Sequence, residues 1–413
     1  MKRVLLIAYH FPPAKGSSGL QRALKFCRYL PEFGWLPSVL TVAPRAHPQT
    51  ASDQLAEIPA GVEVKRAFAL DAARHLSIKG IYPSWAARPD RWGSWWLGGV
   101  PAGRAMLRRL KIDAIWSTFP IATAHLIGHT LAKSTGLPWI ADFRDSMTED
   151  AYPRDANVRR RLRKLEARTV ARAAASVFTT PGALRMYRER YPHVPPERFQ
   201  VIANGFDEEN FGGARAPVSA PHAGGPRVLL HSGLLYPVER DPRALFAALA
   251  ELKQAGEVDA GRLQVVLRAT GHDAEIAQLL GIAAIEDLVK IAPPIAYEAA
   301  LAEMLAADAL LLLQAANCNH QIPAKLYEYL RCGRPILALT DPAGDTANEL
   351  RAAQAGTIVP LDRADLIRDR LRALLGDLDR GAARGADPAI AARFSRRSQT
   401  SQLAALLDAT RPA

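Results

Sequence analysis

Short apolar runs alternate with helical stretches along nearly the whole chain, and this rhythm constrains the fold more than any other feature. The run RVLLIAY near the start is followed by the helical pattern GLQRALKFCRYLPEFG and then by the next apolar run, PSVLTVA. The runs are apolar throughout, which is typical of parallel strands that are covered on both faces. Parallel strands need a crossover between them, and helical stretches lie at those places. The sequence therefore predicts an α/β protein with doubly wound parallel sheets.

A break near the middle divides this rhythm into two series. Residues 212–226 read GGARAPVSAPHAGGP, a composition typical of a linker. A chain of 413 residues is also too long for one ordinary core. We predict a Rossmann-like domain over 1–205, a linker over 206–226 and a second Rossmann-like domain over 227–390. We expect residues 391–413 to form a helix that packs back on the first domain, and the carboxyl ends of both sheets to line one cleft.

The composition excludes several classes of protein. Hydrophobic residues at 49% and charged residues at 23% indicate a globular chain. The three cysteines are widely spaced, with no C-x-x-C pair, which argues against a disulfide framework or a zinc site and favours a reducing compartment. The apolar run at the N-terminus is short and ends in a double proline, so we interpret it as a strand rather than a signal peptide. No run approaches the roughly 20 residues that span a bilayer. We expect a cytoplasmic protein.

Charge is distributed unequally between the two halves. Residues 1–200 contain 31 Lys and Arg against 15 Asp and Glu, a balance of +16, whereas residues 201–413 contain 22 against 26, a balance of −4. Such asymmetry suggests that the first half faces an anionic partner, although solvated arginine-rich faces are an alternative. The basic residues lack the interleaved aromatic motifs of a nucleic-acid module, so we expect no nucleic-acid partner.

Two segments of the first half carry candidate functional residues. Gly16 and Gly19 bracket two serines just before a helix, where backbone N–H groups could bind a phosphate. The spacing is not G-x-G-x-x-G, which disfavours a nicotinamide site, and a simple strand–helix connection is equally consistent. Asp142, Arg144 and Asp145 follow an apolar strand in WIADFRDS. The two carboxylates could orient hydroxyls or act as a base, or they could form a surface ion-pair cluster.

The second half offers candidates after two of its strands. In HSGLLYPVERDP a strand ends at Gly233, and Arg240 follows near a helix start, where a guanidinium can pair with phosphate oxygens. His320, Lys325 and Glu328 follow the apolar run ADALLLLQAA. A Lys–Glu pair at i, i+3 contributes only about 0.2–0.5 kcal/mol on an exposed helix, so the spacing alone does not distinguish a site from an ordinary helix start.

Taken in order, several segments resemble one family. They are FPPAKGSSGLQR, ADFRDS, VIANGFDEENF, HSGLLYPVERDPRALFAAL, ADALLLLQ and IPAKLYEYLRCGRPILAL. Together they are similar to bacterial glycosyltransferases of the family 4 type, which have the GT-B fold of two Rossmann-like domains. The resemblance covers roughly residues 1–360.

The resemblance implies transfer of a sugar from a nucleotide-diphosphate sugar to an acceptor, with retention of anomeric configuration and without a metal or other cofactor. By position, Arg240 and Lys325 would hold the diphosphate and stabilise the charge that develops as it leaves. Glu328 would accept hydrogen bonds from the ribose. Gly16 and Gly19 would let the first loop approach the donor phosphate or the acceptor.

The sequence departs from the family at two positions. The family has two glutamates eight positions apart; Glu328 matches the second, but His320 stands at the first, which normally contacts the donor sugar. Thr118 stands where a histidine is often found, and His10 or the pair Asp142 and Asp145 could supply the missing polar contact. These departures leave two alternatives: a nucleotide-sugar epimerase or hydrolase on the same fold, and a catalytically degenerate scaffold or sensor.

The expected acceptor is lipid-linked or a glycan, in the synthesis of a bacterial polysaccharide or glycolipid. Relatives of this kind often act at the cytoplasmic leaflet, and an anionic surface attracts nearby basic residues by about 1 kcal/mol each. The basic run 159–168 and the tryptophans of RWGSWWLGG at 91–99 would suit such a surface, although core packing of the tryptophans is an alternative. We predict peripheral binding to an anionic membrane.

Overall fold

The computed structural model of the protein describes residues 1–15, 18–83, 87–150, 152–212 and 225–411. These residues form two compact units. The first contains residues 1–204 and 396–413, and the second contains residues 205–395. The predicted linker, 206–226, lies partly outside the described residues.

The first unit is built on a parallel sheet of seven described strands in the order β3-β2-β1-β4-β5-β6-β7. The strands are β1 (Lys2–Ile7), β2 (Trp35–Val42), β3 (Glu63–Ala67), β4 (Ala114–Thr118), β5 (Trp139–Phe143), β6 (Ala175–Phe178) and β7 (Phe199–Val201). The helices are α1 (Ser18–Tyr29), α2 (Ala72–His75), α3 (Trp95–Leu110), α4 (Ala122–Thr135), α5 (Ala156–Arg172) and α6 (Pro181–Arg190), with α14 (Arg396–Ala409) from the end of the chain.

The second unit has a parallel sheet of six described strands in the order β10-β9-β8-β11-β12-β13. The strands are β8 (Arg227–Ser232), β9 (Leu263–Arg268), β10 (Val289–Ala292), β11 (Ala309–Gln314), β12 (Ile336–Thr340) and β13 (Thr357–Val359). The helices are α7 (Arg243–Gln254), α8 (Asp273–Ala283), α9 (Tyr297–Ala306), α10 (Lys325–Cys332), α11 (Asp345–Ala352), α12 (Ala364–Asp379) and α13 (Pro388–Ala391).

The central strands of both sheets are buried along their whole length. Every residue of β4, β5, β11 and β12 is buried, so both faces of each sheet are covered. This is the physical reason for their continuous apolar sequences, and it confirms the predicted fold class. The last helix, α14, packs on α1. Its Leu403 and Leu407 lie in the apolar cluster that contains Leu20 and Trp35 of the first unit.

The carboxyl edge of each parallel sheet is where ligand sites form in doubly wound folds, so it is the first place to examine. In the second unit this edge carries the loops after β8 and β9 and the start of α10. In the first unit it carries the segments after β1, β2, β3 and β5. Among the described helices, none combines the length and the apolar content needed to cross a bilayer.

Candidate functional site

Strand β8 leads directly into the candidate site of the second unit through Gly233. Its backbone has φ +108°, a value that favours glycine, and its N–H donates to the Arg268 carbonyl at 2.8 Å. A Cβ built on Gly233 would lie 3.1 Å from Nζ of Lys325. The glycine therefore meets two needs: it allows the turn after the strand, and it leaves room for the lysine.

Lys325, the first residue of α10, lies against His231 of β8. Its Nζ is 3.0 Å from Nε2 of His231, and Nδ1 of His231 is 2.9 Å from the Leu311 carbonyl oxygen. Nε2 also lies 3.1 Å from the Gly233 carbonyl oxygen, so each ring nitrogen of His231 faces a backbone carbonyl, and Nε2 faces the lysine as well.

The electrostatics agree with this arrangement. Burial is the main cause that lowers the pKa of His231 well below its usual range, and Lys325 and Arg240 lower it further. Burial also lowers the pKa of Lys325 well below its usual value, followed by the charge of Arg240, whereas Glu328 raises it. Two cationic side chains thus lie close together, and an anion bound there would favour the charged form of the lysine.

Arg240 is held in place by the loop between β8 and α7. Its Nη1 donates to the Leu234 carbonyl at 2.6 Å, and its guanidinium lies 5.1 Å from the centre of the Tyr236 ring. A cation–π contact of this kind contributes roughly 0.5–1 kcal/mol at an exposed site. The contact orders the guanidinium beside Lys325 before any ligand binds.

Glu328 lies one turn along α10 from Lys325. Its Oε1 accepts a hydrogen bond of 2.7 Å from the Tyr297 hydroxyl at the start of α9. The next residue, Tyr329, accepts with its hydroxyl oxygen from the backbone N–H of Ser232 at 3.0 Å. Helix α10 therefore directs Lys325 towards β8 and Glu328 towards the start of α9, and the buried Tyr329 fixes the helix against the end of β8.

His320 belongs to the segment that joins β11 to α10 and is half-buried. The side-chain amide of Gln314 holds this segment by donating to the carbonyls of Cys318 and Gln321, each at 3.0 Å. A small cavity of about 50 Å³ beside the segment is lined by Arg240, Gln314 and Gln321, among others. The structure therefore places His320 in a segment that adjoins Arg240.

The predicted residues of the first unit have different surroundings. Asp142 is fully buried and forms a two-point ion pair with Arg22, at 2.7 and 3.0 Å, and it also accepts from the Thr118 hydroxyl at 2.9 Å. Asp145 is exposed, and Gly19 lies in the first turn of α1. The other predicted glycine, Gly16, lies outside the described residues.

The structure thus brings Gly233, Arg240, Lys325 and Glu328 together in one unit. Sequence reasoning missed His231, although its position offered a signal: a histidine inside an apolar strand, two residues before a glycine. No group of three or more His, Cys, Asp or Glu side chains suited to a metal ion is found within the described part of the chain. The prediction that no metal is needed stays a prediction.

Comparison with known proteins finds a family similarity for the first half of the chain. A family model described as a glycosyl transferase 4-like domain matches residues 19–205. The resemblance that the sequence motifs indicate is therefore confirmed for this part of the chain. No curated protein matches the sequence significantly.

Solved structures resemble the chain over its full length. A sucrose-phosphate synthase from Thermosynechococcus elongatus is 16% identical, with a TM-score of 0.68 over 99% of each chain. HepE from Anabaena, in complex with UDP and glucose, is 16% identical, with a TM-score of 0.65 over 99% of this chain and 100% of that one. The lipopolysaccharide outer core galactosyltransferase WaaB is 12% identical, with a TM-score of 0.59 over 98% and 99%. These likenesses confirm the predicted GT-B fold class.

Proposed function

We propose that the protein is a retaining, metal-independent glycosyltransferase that moves a sugar from a nucleotide-diphosphate sugar to a lipid-linked or glycan acceptor. The observation that carries the proposal is the position of Lys325, a half-buried amine 3.0 Å from His231 and beside Arg240 at the carboxyl edge of the second sheet. The family of residues 19–205 and the UDP complexes of HepE support it.

In this proposal the diphosphate of the donor lies against Arg240 and Lys325. Negative charge develops on the diphosphate as the bond to the sugar breaks, and two fixed cations stabilise that charge without a metal ion. Hydrogen bonds to charged groups contribute roughly 1.5–3 kcal/mol each. Gly233 leaves the backbone open to the phosphate, and neutral His231 keeps Nζ of the lysine directed towards it.

The remaining contacts of the donor follow from the same geometry. Glu328, held by the Tyr297 hydroxyl at 2.7 Å, accepts hydrogen bonds from the ribose hydroxyls. His320 contacts the donor sugar from the segment before α10. Because His320 donates as well as accepts, it selects a different set of sugar hydroxyls than a glutamate would.

The first unit takes the acceptor. Of its two predicted carboxylates, exposed Asp145 is the one that an acceptor hydroxyl reaches, whereas Asp142 is occupied by Arg22 and orders Thr118. Gly19 gives the acceptor or the donor phosphate close access to the start of α1. Basic residues of this unit attract the protein to an anionic membrane surface. Trp95 is fully buried, so it stabilises the core rather than inserting into lipid.

Binding and turnover with a panel of nucleotide sugars test the proposal. We expect a UDP- or GDP-sugar to raise the melting temperature of the protein. Lys325→Ala and Arg240→Ala should each weaken binding about 10- to 100-fold, in line with the loss of one charged hydrogen-bonding group. Lys290→Ala and Arg370→Ala are matched controls, because both side chains are exposed in the same unit.

Product analysis separates the proposed transfer from its alternatives. Transfer to an acceptor with the donor's anomeric configuration, seen by proton NMR, supports a retaining glycosyltransferase. A changed sugar formed from donor alone would indicate an epimerase or hydrolase. Binding without turnover across donors and acceptors would indicate a scaffold or sensor. Equal loss of binding in the control variants would remove Lys325 and Arg240 from the donor site.

A further inference from the structure

Several aromatic and basic side chains meet at the carboxyl edge of the first sheet, around Tyr9. The ring centre of Tyr9 lies 5.1 Å from that of His10, which follows β1, and 5.1 Å from that of His47, which follows β2. The ring of Trp92 is also 5.1 Å away, and the guanidinium of Arg91 lies 4.2 Å from the centre of that ring. Segments from three places in the chain thus converge on one point.

Positive charge exceeds negative charge around this point. The four arginines are Arg66, Arg74, Arg91 and Arg144. Arg74 donates to the His47 carbonyl at 2.6 Å. Burial lowers the pKa of His10 to about 4, and the charge of nearby Arg144 adds to this effect. Burial also lowers the pKa of His47 to about 4, with smaller contributions from Arg66 and Arg74.

Two carboxylates oppose these cations. Oδ1 of buried Asp71 lies 3.4 Å from Nε of Arg91 and accepts from the backbone N–H of Ala73 at 3.1 Å. Asp90 accepts two hydrogen bonds from Thr123 and one from the N–H of Trp92, and burial raises its pKa. Near Arg144, Asp142 is paired with Arg22, which leaves exposed Asp145 beside the cluster.

Five buried nitrogen atoms of this cluster, and one carboxylate oxygen, have no hydrogen-bond partner among the described residues. The nitrogens are Nε2 of His47, Nη1 of Arg66, Nε of Arg91, Nε1 of Trp92 and Nε of Arg144, and the oxygen is Oδ2 of Asp71. His47 is only 3% exposed. A buried polar group left without a partner costs about 1–3 kcal/mol, so five such nitrogens in one cluster indicate a ligand whose oxygens satisfy them.

An apolar cavity lies next to the cluster. It has a volume of about 200 Å³ and is lined by Leu70, Ala72, Leu76, Arg88, Gly93, Ser94 and Leu97. The two lining segments are joined by the hydrogen bond of 2.8 Å from Ala72 N–H to the Arg91 carbonyl. Leu97 is 64% exposed beside the cavity. An apolar surface of this kind suits the hydrocarbon part of a ligand whose anionic group reaches the arginines.

We propose that this edge of the first sheet binds an alkyl phosphate or diphosphate, with the phosphate at Arg91, Arg144 and His47 and the alkyl chain in the cavity at Leu76 and Leu97. The proposal rests on the proposed function, since it names the acceptor chemistry that the first unit takes. Arginine fits this task because its planar N–H groups match phosphate oxygens.

Calorimetric titration of the full chain tests the site, with UDP present at saturation so that a diphosphate cannot occupy the second unit. The probes are farnesyl diphosphate, inorganic pyrophosphate and farnesol. We expect farnesyl diphosphate to bind more tightly than pyrophosphate. Arg144→Ala and His47→Ala should each weaken the binding of both diphosphates at least 10-fold. Leu97→Asp should weaken the binding of farnesyl diphosphate only.

Arg104→Ala is the matched control, because Arg104 is exposed on α3 of the same unit. Arg91→Ala repeats the test if Arg144→Ala does not fold. No binding of either diphosphate, or equal binding in the Arg144 and Arg104 variants, overturns the site. Equal affinity for pyrophosphate and farnesyl diphosphate supports the anion site and overturns the role of the cavity.

Failure of this site can be told apart from failure of the donor site. Lys325→Ala should lose UDP binding and keep farnesyl diphosphate binding. If Lys325→Ala binds UDP normally, the proposed donor site fails, but loss of farnesyl diphosphate binding in Arg144→Ala would still support the site in the first unit.

Discussion

Binding of a nucleoside diphosphate should be coupled to uptake of a proton by Lys325. Burial and the charge of Arg240 lower the pKa of Lys325 well below its usual value in the unliganded protein. A bound diphosphate brings negative charge to Nζ and raises that pKa again. Between the two pKa values the ligand and the proton bind together, so the affinity falls about tenfold, or about 1.4 kcal/mol, for each unit of rising pH.

His231 does not compete for this proton, although it lies 3.0 Å from Nζ. Its own pKa is lowered well below its usual range, so it stays neutral above pH 7. The terminal phosphate of the ligand does not compete either, because its second pKa is about 6. Lys325 is therefore the group whose titration the experiment follows.

Titration calorimetry of UDP in two buffers with different ionisation enthalpies measures the protons taken up at each pH from 7.5 to 10. We expect a positive uptake that Lys325→Met abolishes and that Lys290→Met, an exposed lysine of the same unit, leaves unchanged. The dissociation constant of the unsubstituted protein should rise with pH over the same window. A dissociation constant independent of pH, or proton uptake that survives in Lys325→Met, would refute the reasoning.

Four further predictions follow from other residues. Asp142→Asn should lower the free energy of unfolding by about 3–5 kcal/mol in urea titrations, because it leaves the guanidinium of Arg22 buried without its charge partner, whereas exposed Asp145→Asn should change it little. Burial lowers the pKa of His125 to about 3, so the unfolded chain takes up a proton below pH 6.5 that the folded chain does not. This histidine alone should lower stability by about 1.4 kcal/mol per unit as pH falls from 6.5 towards 3. His10, His47 and His231 add slopes of the same sign, so His125→Gln should reduce the total slope by that amount in urea titrations at several pH values. His320→Glu should change the ratio of kcat/KM between donor sugars, and an unchanged ratio would remove His320 from the sugar contact. Binding to vesicles that contain anionic lipid should weaken as the salt concentration rises. Co-sedimentation that depends neither on anionic lipid nor on salt would contradict a membrane-facing basic surface.

The fold class could be predicted because strands that are buried on both faces of a sheet have continuous apolar sequences. Strands such as β5 and β11 are buried at every residue and read as continuous apolar runs. The strand β3 does not follow this pattern. It lies at the edge of its sheet, reads EVKRA and is mostly half-exposed, so its sequence has no apolar run to detect.

The candidate site could be predicted only in part, because spacing along the chain reveals neighbours on one helix but not contacts between distant segments. Lys325 and Glu328 lie one turn apart on α10, as their spacing indicates. The contact of Lys325 with His231 joins residues 94 positions apart. It depends on β8 and β11 being neighbours in the sheet, which local sequence does not specify.

The same limit explains why Asp142 looked like a site residue in the sequence. Its position after an apolar strand is correct for a ligand site, but its charge is matched by Arg22, 120 positions away, which also donates to the carbonyls of Ile202 and Ala203.

A matched charge and an unmatched one have different physical consequences. A buried ion pair with further hydrogen bonds is satisfied without a ligand, and breaking it mainly costs stability. Lys325 and Arg144 have no ion pair to a carboxylate within 4 Å among the described residues, so an anion that reached either would gain most of the electrostatic attraction that Arg22 gives to Asp142. Arg91, by contrast, lies 3.4 Å from Asp71, so part of its charge is already matched before a ligand binds. By that criterion Lys325 and Arg144 are the residues to substitute first.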